Sequence, residues 1–157
     1  MLAVALAAVS FAAKPDPHQF LRVDSRHKLI HTVLVSAANV ADCLALPHLL
    51  HGRETCVWGD QAYQGQSKIL RSVAPRARDC TNRRYRWGKR IDEAVKVKNR
   101  NKSRVRAKVE HSIGVIKRIF GFQKVRYRGL AKNLHRLEVT AALANLLMVR
   151  RRLLGGA

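Results

Sequence analysis

Residues 102–121 read KSRVRAKVEHSIGVIKRIFG. Apolar side chains recur at Val105, Val109, Ile113, Ile116 and Phe120, which is the 3.6-residue period of a helix with one buried stripe. Gly121 is a natural stop. The spacing predicts a helix from about Lys102 to Ile119. At 100° per residue, Glu110 lies about 40° from Arg106 and Lys117 about 20° from it, so the three share one face beside the stripe. Such a trio is either a surface i,i+4 pair, worth a few tenths of a kcal/mol, or part of a site. Spacing alone does not separate the two.

A second acid stands out upstream, in Trp58-Gly59-Asp60-Gln61-Ala62-Tyr63-Gln64-Gly65. Thr55–Gly59 reads as a short apolar strand with Asp60 at its C-terminal end, where ligands usually bind in an α/β sheet. Gly59 would let a metal or a backbone approach closely. The plain alternative is a turn or N-cap aspartate.

The whole chain is strongly cationic. Its 157 residues carry 31 Lys and Arg against 10 Asp and Glu, a formal net charge of +21. A surface of that sign attracts polyanions and makes nucleic acid the leading partner. A ribosomal or architectural basic protein and an anionic membrane surface are the competing readings. Residues 83–108 alone hold twelve Lys or Arg and two acids, with Tyr85 and Trp87 among them. Aromatics interleaved with cations suit stacking on bases, or anchor a solvated loop. Cys43, Cys56 and Cys80 are odd in number and lack a C-x-x-C pair, which argues against a disulfide framework or a zinc ribbon and suits a reducing cytoplasm. His48 and His51 near Cys56 lack recognised metal spacing.

The remaining punctuation outlines an α/β chain. Residues 1–13, MLAVALAAVSFAA, are apolar but too short to span a bilayer, as is Val139–Val149. They resemble the core of a signal peptide with small residues near Ala12–Ala13, but no cation precedes them. KPDPHQ (14–19) reads as a linker. Phe20–Val23 and Leu29–Val35 flank a polar turn and predict a hairpin. A helix is expected from Ser36–Asn39 to about Leu50, and another from Gln64 to Val73, stopped by Pro75. Arg76–Asn101 reads as basic and turn-rich. Lys124–Tyr127 reads as a short strand or extended piece. A last helix from about Leu134 to Leu154 buries Leu137, Ala141, Ala144, Leu147 and Met148.

Taken together, HTVLVSAANVAD (31–42), WGDQAYQG (58–65), RAKVEHSIGVIKRIFG (106–121), KVRYRGLAKN (124–133) and ALANLLMVRR (142–151) resemble DDE-type insertion-sequence transposases of the insertion-sequence-five-like group. The resemblance covers roughly residues 22–154. Arg106, Glu110 and Lys117 match three positions of that family's Y-R-E-K signature; the Tyr position is Ser103. The resemblance implies an RNase H-like α/β fold whose three carboxylates bind two Mg²⁺ or Mn²⁺ ions. Asp60 matches the second acid and Glu110 the third. It further implies that Arg106 and Lys117 contact phosphates, and that Arg83, Arg84, Arg86, Lys89, Arg126 and Arg128 hold the DNA backbone.

The first acid has no match. Asp16 lies between prolines, Asp24 in the hairpin turn and Asp42 in the first turn of a helix. Residues 1–19 do not resemble the family and residues 20–154 do, so the domain is expected to be truncated at its N-terminus, its first strand missing or replaced. Residues 2–12 are the one candidate substitute. A missing middle strand would leave an open edge. Whether the chain is an enzyme therefore stays open. It is expected to be a cytoplasmic transposase fragment, partnered by DNA and by an upstream half of the same transposase or by further copies of itself. A catalytically inactive DNA-binding remnant, an interfering protein and a secreted cationic protein are the alternatives.

Overall fold

The computed structural model describes residues 2–9, 17–88 and 90–155. Strands β1 (Leu2–Val9), β2 (His18–Asp24), β3 (Ile30–Ser36), β4 (Glu54–Trp58) and β5 (Arg78–Asp79) form one mixed sheet in the order β3-β2-β1-β4-β5. β1 pairs antiparallel with β2 (Ala5 opposite Val23) and parallel with β4 (Ala5 opposite Trp58). The middle of the sheet is thus LAVALAAV, an uncharged run of the kind a strand covered on both faces requires. This corrects the expectation of an open edge: the middle place is filled from the segment least like the rest of the chain. The cleavage point near Ala12–Ala13 and residues 14–16 of the expected linker lie outside the described residues, while His18 and Gln19, expected in the linker, begin β2.

Alternation along β1 divides two cores. Ala5 joins Leu21, Val23, Ile30 and Val35 under α3 (Glu93–Arg118) and α4 (Leu130–Leu153), with Val109, Ile116, Phe122, Leu137, Ala141 and Ala144 opposite. Val4 and Leu6 join Phe20, Val57, Tyr63 and Leu70 on the other face, under α1 (Leu46–Leu49) and α2 (Ser67–Val73). β3 is an edge strand, and α4 covers part of it: the Asn145 side chain accepts from the Ile30 amide at 2.9 Å and donates to its carbonyl at 2.8 Å, as a neighbouring strand would.

The expected hairpin is β2–β3. Its turn is built on Asp24, whose carboxylate accepts from the amides of Arg26 and His27 at 3.0 and 2.9 Å and meets the His27 ring at 2.7 Å. Burial works against that charge, but these donors outweigh it and hold Asp24 below the ordinary carboxylate range.

Four element expectations are corrected. The 36–50 helix reduces to a 3₁₀ turn, Asp42–Ala45, followed by the four-residue α1. Pro47 sits at the start of α1 and cannot lie inside a longer helix. The 64–73 helix begins only at Ser67, as α2, and a 3₁₀ turn, Gln61–Tyr63, precedes it. α3 begins at Glu93 rather than Lys102, because Asp92 caps it by accepting from the Val95 amide at 3.0 Å. Lys124–Tyr127 forms no strand: the Asn133 side chain takes up the Tyr127 amide and carbonyl instead.

The most demanding interaction joins the two strands that flank β1. Arg22 of β2 and Glu54 of β4 meet at 3.0 Å with both side chains wholly buried. Glu54 also accepts from the His51 amide, and Arg22 donates to Thr32. Arg22→Ala should destabilise the fold by about 3–5 kcal/mol, because it strands a buried carboxylate. Arg22→Met combined with Glu54→Leu should recover most of that loss. Urea midpoints of the two variants test this; a double variant as unstable as the single would show that the charge is not the cause.

Candidate active site and nucleic-acid interface

Asp60 follows β4 directly. Its carboxylate caps the Gln61–Tyr63 turn, accepting from the Ala62 amide at 3.0 Å. Gly59 has a different reason from the expected metal approach: a Cβ there would stand 3.1 Å from the Tyr63 ring. Tyr63 is buried against the core beneath, and burial, helped by Asp42 and Asp60, pushes its phenol well above the ordinary range.

α3 runs past this corner. Arg106 reaches across from it, its Nη1 3.5 Å from Asp60 Oδ2 and its Nη2 3.9 Å from Glu110 Oε1. One guanidinium therefore gathers the two acids singled out in the sequence. Glu110 remains 67% exposed against 36% for Asp60, so its contact with Arg106 is loose and screened by water. About two turns further on, Lys117 lines the same shallow hollow as Glu110, with Ile113 and Gly114 between them.

The cationic rim is organised by residues that sequence reading passed over. Asn99 is buried on α3; its side chain accepts from the Arg83 amide at 3.1 Å and donates to the Arg83 carbonyl at 2.6 Å. Lys102 donates to the Thr81 carbonyl, and Ser103, at the signature's tyrosine position, accepts from Asn82. The Arg84 amide donates to Gln64, just beyond the Asp60 turn. The loop carrying Arg83 and Arg84 is thus stitched between Asp60's turn and α3, with both residues exposed. The only signal for Asn99 was an uncharged polar residue amid lysines and arginines. Beyond it, β6 (Arg86–Trp87) and β7 (Arg90–Ile91) form a small hairpin that leaves Arg86 exposed and Trp87 54% exposed. Lys89 lies outside the described residues. Arg126 and Arg128 are exposed in the α3–α4 loop, which Arg136 pins by stacking 4.4 Å over Phe122 and donating to the Lys124 carbonyl.

His51 serves structure: its ring meets the Thr32 hydroxyl at 3.0 Å. Among the described residues no three His, Cys, Asp or Glu side chains gather as metal ligands. The two-ion site implied by resemblance therefore does not fit the described residues. Two carboxylates share one arginine, and β1, the strand beside Asp60's, contains no acid.

A mixed sheet with an aspartate just past an interior strand, a glutamate on a long helix linked to it through one arginine, and an exposed basic rim make this a mixed α/β domain. The model of the transposase DDE domain matches residues 14–146, and the chain belongs to that family. Family membership carries transposition as the activity and DNA as the substrate, with a divalent metal the usual cofactor. No described helix is long and apolar enough to cross a membrane.

Asn99→Ala should free the Arg83 loop. Two part-buried hydrogen bonds are lost, a cost of about 1–3 kcal/mol, and amide exchange at Arg83 should accelerate while that of the β1–β2 core does not. Unchanged exchange at Arg83 would show that the loop is held elsewhere.

Proposed function

We propose that this chain is a DNA-binding transposase domain of the insertion-sequence-five-like group, RNase H-like in fold, that does not cut DNA with its own residues alone. The observation that carries this reading is Arg106 lying between Asp60 and Glu110, with an acid-free strand beside them. The strand order, with the first strand central and parallel to β4, supports the fold assignment. In the intact family, three carboxylates clamp two Mg²⁺ or Mn²⁺ ions on the attacking and leaving oxygens. Asp60 and Glu110 are two of those ligands. Without the third, their anionic charge is balanced by Arg106, and metal affinity falls.

DNA is held by Arg83, Arg84, Arg86 and Lys89 beside Asp60's turn, by Arg106 and Lys117 along α3, and by Arg126 and Arg128 on the next loop. On this reading residues 1–19 are a non-family segment, although the matched family model reaches back to residue 14, and 20–154 are a partial catalytic domain, in a cytoplasmic protein. A partner carrying the absent acid, such as an upstream half of the same transposase, would have to displace β1 to insert its own first strand. Further copies of this chain would only repeat the deficit. A DNA-binding remnant that interferes with transposition is the same reading without that partner.

The purified chain, given end-labelled insertion-sequence DNA and Mg²⁺, should bind the DNA and leave both strands intact. Cleavage that Asp60→Ala abolishes would overturn this reading. Neutralising Arg83, Arg84 and Arg86 together should lower the slope of log affinity against log salt by about 2–3, since each phosphate contact contributes roughly 0.9.

A further inference from the structure

A second cationic hollow lies on the other side of α3. It is lined by Arg26, His27 and Lys28 of the β2–β3 turn, His111 of α3, and Arg150 and Arg152 in the last turn of α4, over a floor that includes Val115 and Leu147. Among the described residues no carboxylate lines it. Counted round the helix at 100° per residue, His111, Val115 and Ile119 centre about 160° from the line of Arg106, Glu110 and Lys117. The hollow and the Asp60 site therefore face opposite ways.

The charge in this hollow exceeds what the fold needs. The ends of α3 and α4 present partial negative charges of about one half each, and Arg150 meets its own share by donating to the Leu147 carbonyl at 2.7 Å. Asp24 adds one unit, already committed to the amides of its turn and to His27. Four full cations against about two negative units leave an excess of about two. The turn is also held in place. Lys28 is the one non-glycine residue with positive φ among those described, at 64°. Its carbonyl accepts from the Ser112 hydroxyl at 2.6 Å, and the Ser25 carbonyl accepts from Lys108 at 2.7 Å. A left-handed lysine fixed by hydrogen bonds from α3 keeps Arg26 and Lys28 beside Arg150 and Arg152 despite their mutual repulsion. The apolar floor lowers the local dielectric and strengthens any anion contact.

We propose that this hollow binds adjacent phosphates of a nucleic-acid backbone, a second contact surface separate from the Asp60 face, so that one chain can touch two DNA segments. The inference rests on the DNA-binding reading above. The test uses the full chain and a fluorescent duplex, with affinity measured by anisotropy over a salt series. One variant carries Arg26→Gln, Lys28→Asn and Arg152→Gln, all at exposed positions, the asparagine chosen because it tolerates left-handed backbone. A charge-matched control carries Lys68→Gln, Arg71→Gln and Arg76→Gln, exposed around α2. The hollow variant should lower the salt slope by about 2, keep the wild-type melting temperature, and abolish the sandwiching of a second labelled duplex on DNA-loaded protein. A slope change no larger than the control's would overturn the proposal and leave the first reading standing. Failure of the wild-type chain to bind DNA would overturn both. Saturation by inorganic pyrophosphate without any effect on the duplex slope would assign the hollow to a free anion and overturn the nucleic-acid proposal.

Discussion

The two-sided pairing of β1 is the constraint on which this structure depends. A middle strand must satisfy its amides and carbonyls on both edges and bury side chains on both faces. LAVALAAV pairs with β2 from Val4 to Val9 and with β4 from Leu2 to Ala5, buries Val4, Ala5 and Leu6, and carries nothing charged. Through its register with β4 it fixes where that strand ends, and hence where Asp60 emerges. Through its register with β2 it places Arg22 and Glu54 so that their ion pair can join the strands on either side. The two cores exist as separate layers because β1 feeds Val4 and Leu6 to one and Ala5 to the other.

The same strand that completes the sheet withholds chemistry from the site. A position between β2 and β4 is well suited to present an acid beside Asp60, yet no residue of β1 has one. The remaining acids then settle around the nearest cation. Asp60, less exposed and tied to its own turn, is held more firmly than Glu110, which stands largely in water. Arg106 offsets part of the negative charge that two neighbouring carboxylates would otherwise concentrate, beside an exposed basic rim.

Much of this was legible in the chain. The β2–β3 hairpin, the strand ending before Asp60, and the core face of α4 follow from alternation and helical period. So does the shared face of Arg106, Glu110 and Lys117. What escaped the reading escaped for local reasons. The first two turns of α3 look like loop because Lys and Arg hide any apolar stripe, although Asp92 followed by Glu93 is a helix-start signal. Pro47 shortened a helix that composition alone would have extended. Asn133 and Asn145 satisfy backbone groups at a distance, through contacts that no periodicity reports. Gly59 is a close-approach position, but the approaching group is the Tyr63 side chain rather than the expected metal or backbone.

The parallel pairing of Ala5 with Trp58 also sets an order of events during folding. β2 and β3 can close locally as a hairpin, and β1 can join them by a nearby antiparallel contact. The β4 side must wait until the whole intervening chain has been made and brought back, a non-local closure that is intrinsically slow. Until then an apolar strand lies with one edge bare. The nascent chain should therefore pass through a sticky three-stranded stage, and its yield should depend on how quickly Glu54–Trp58 arrives to cover it.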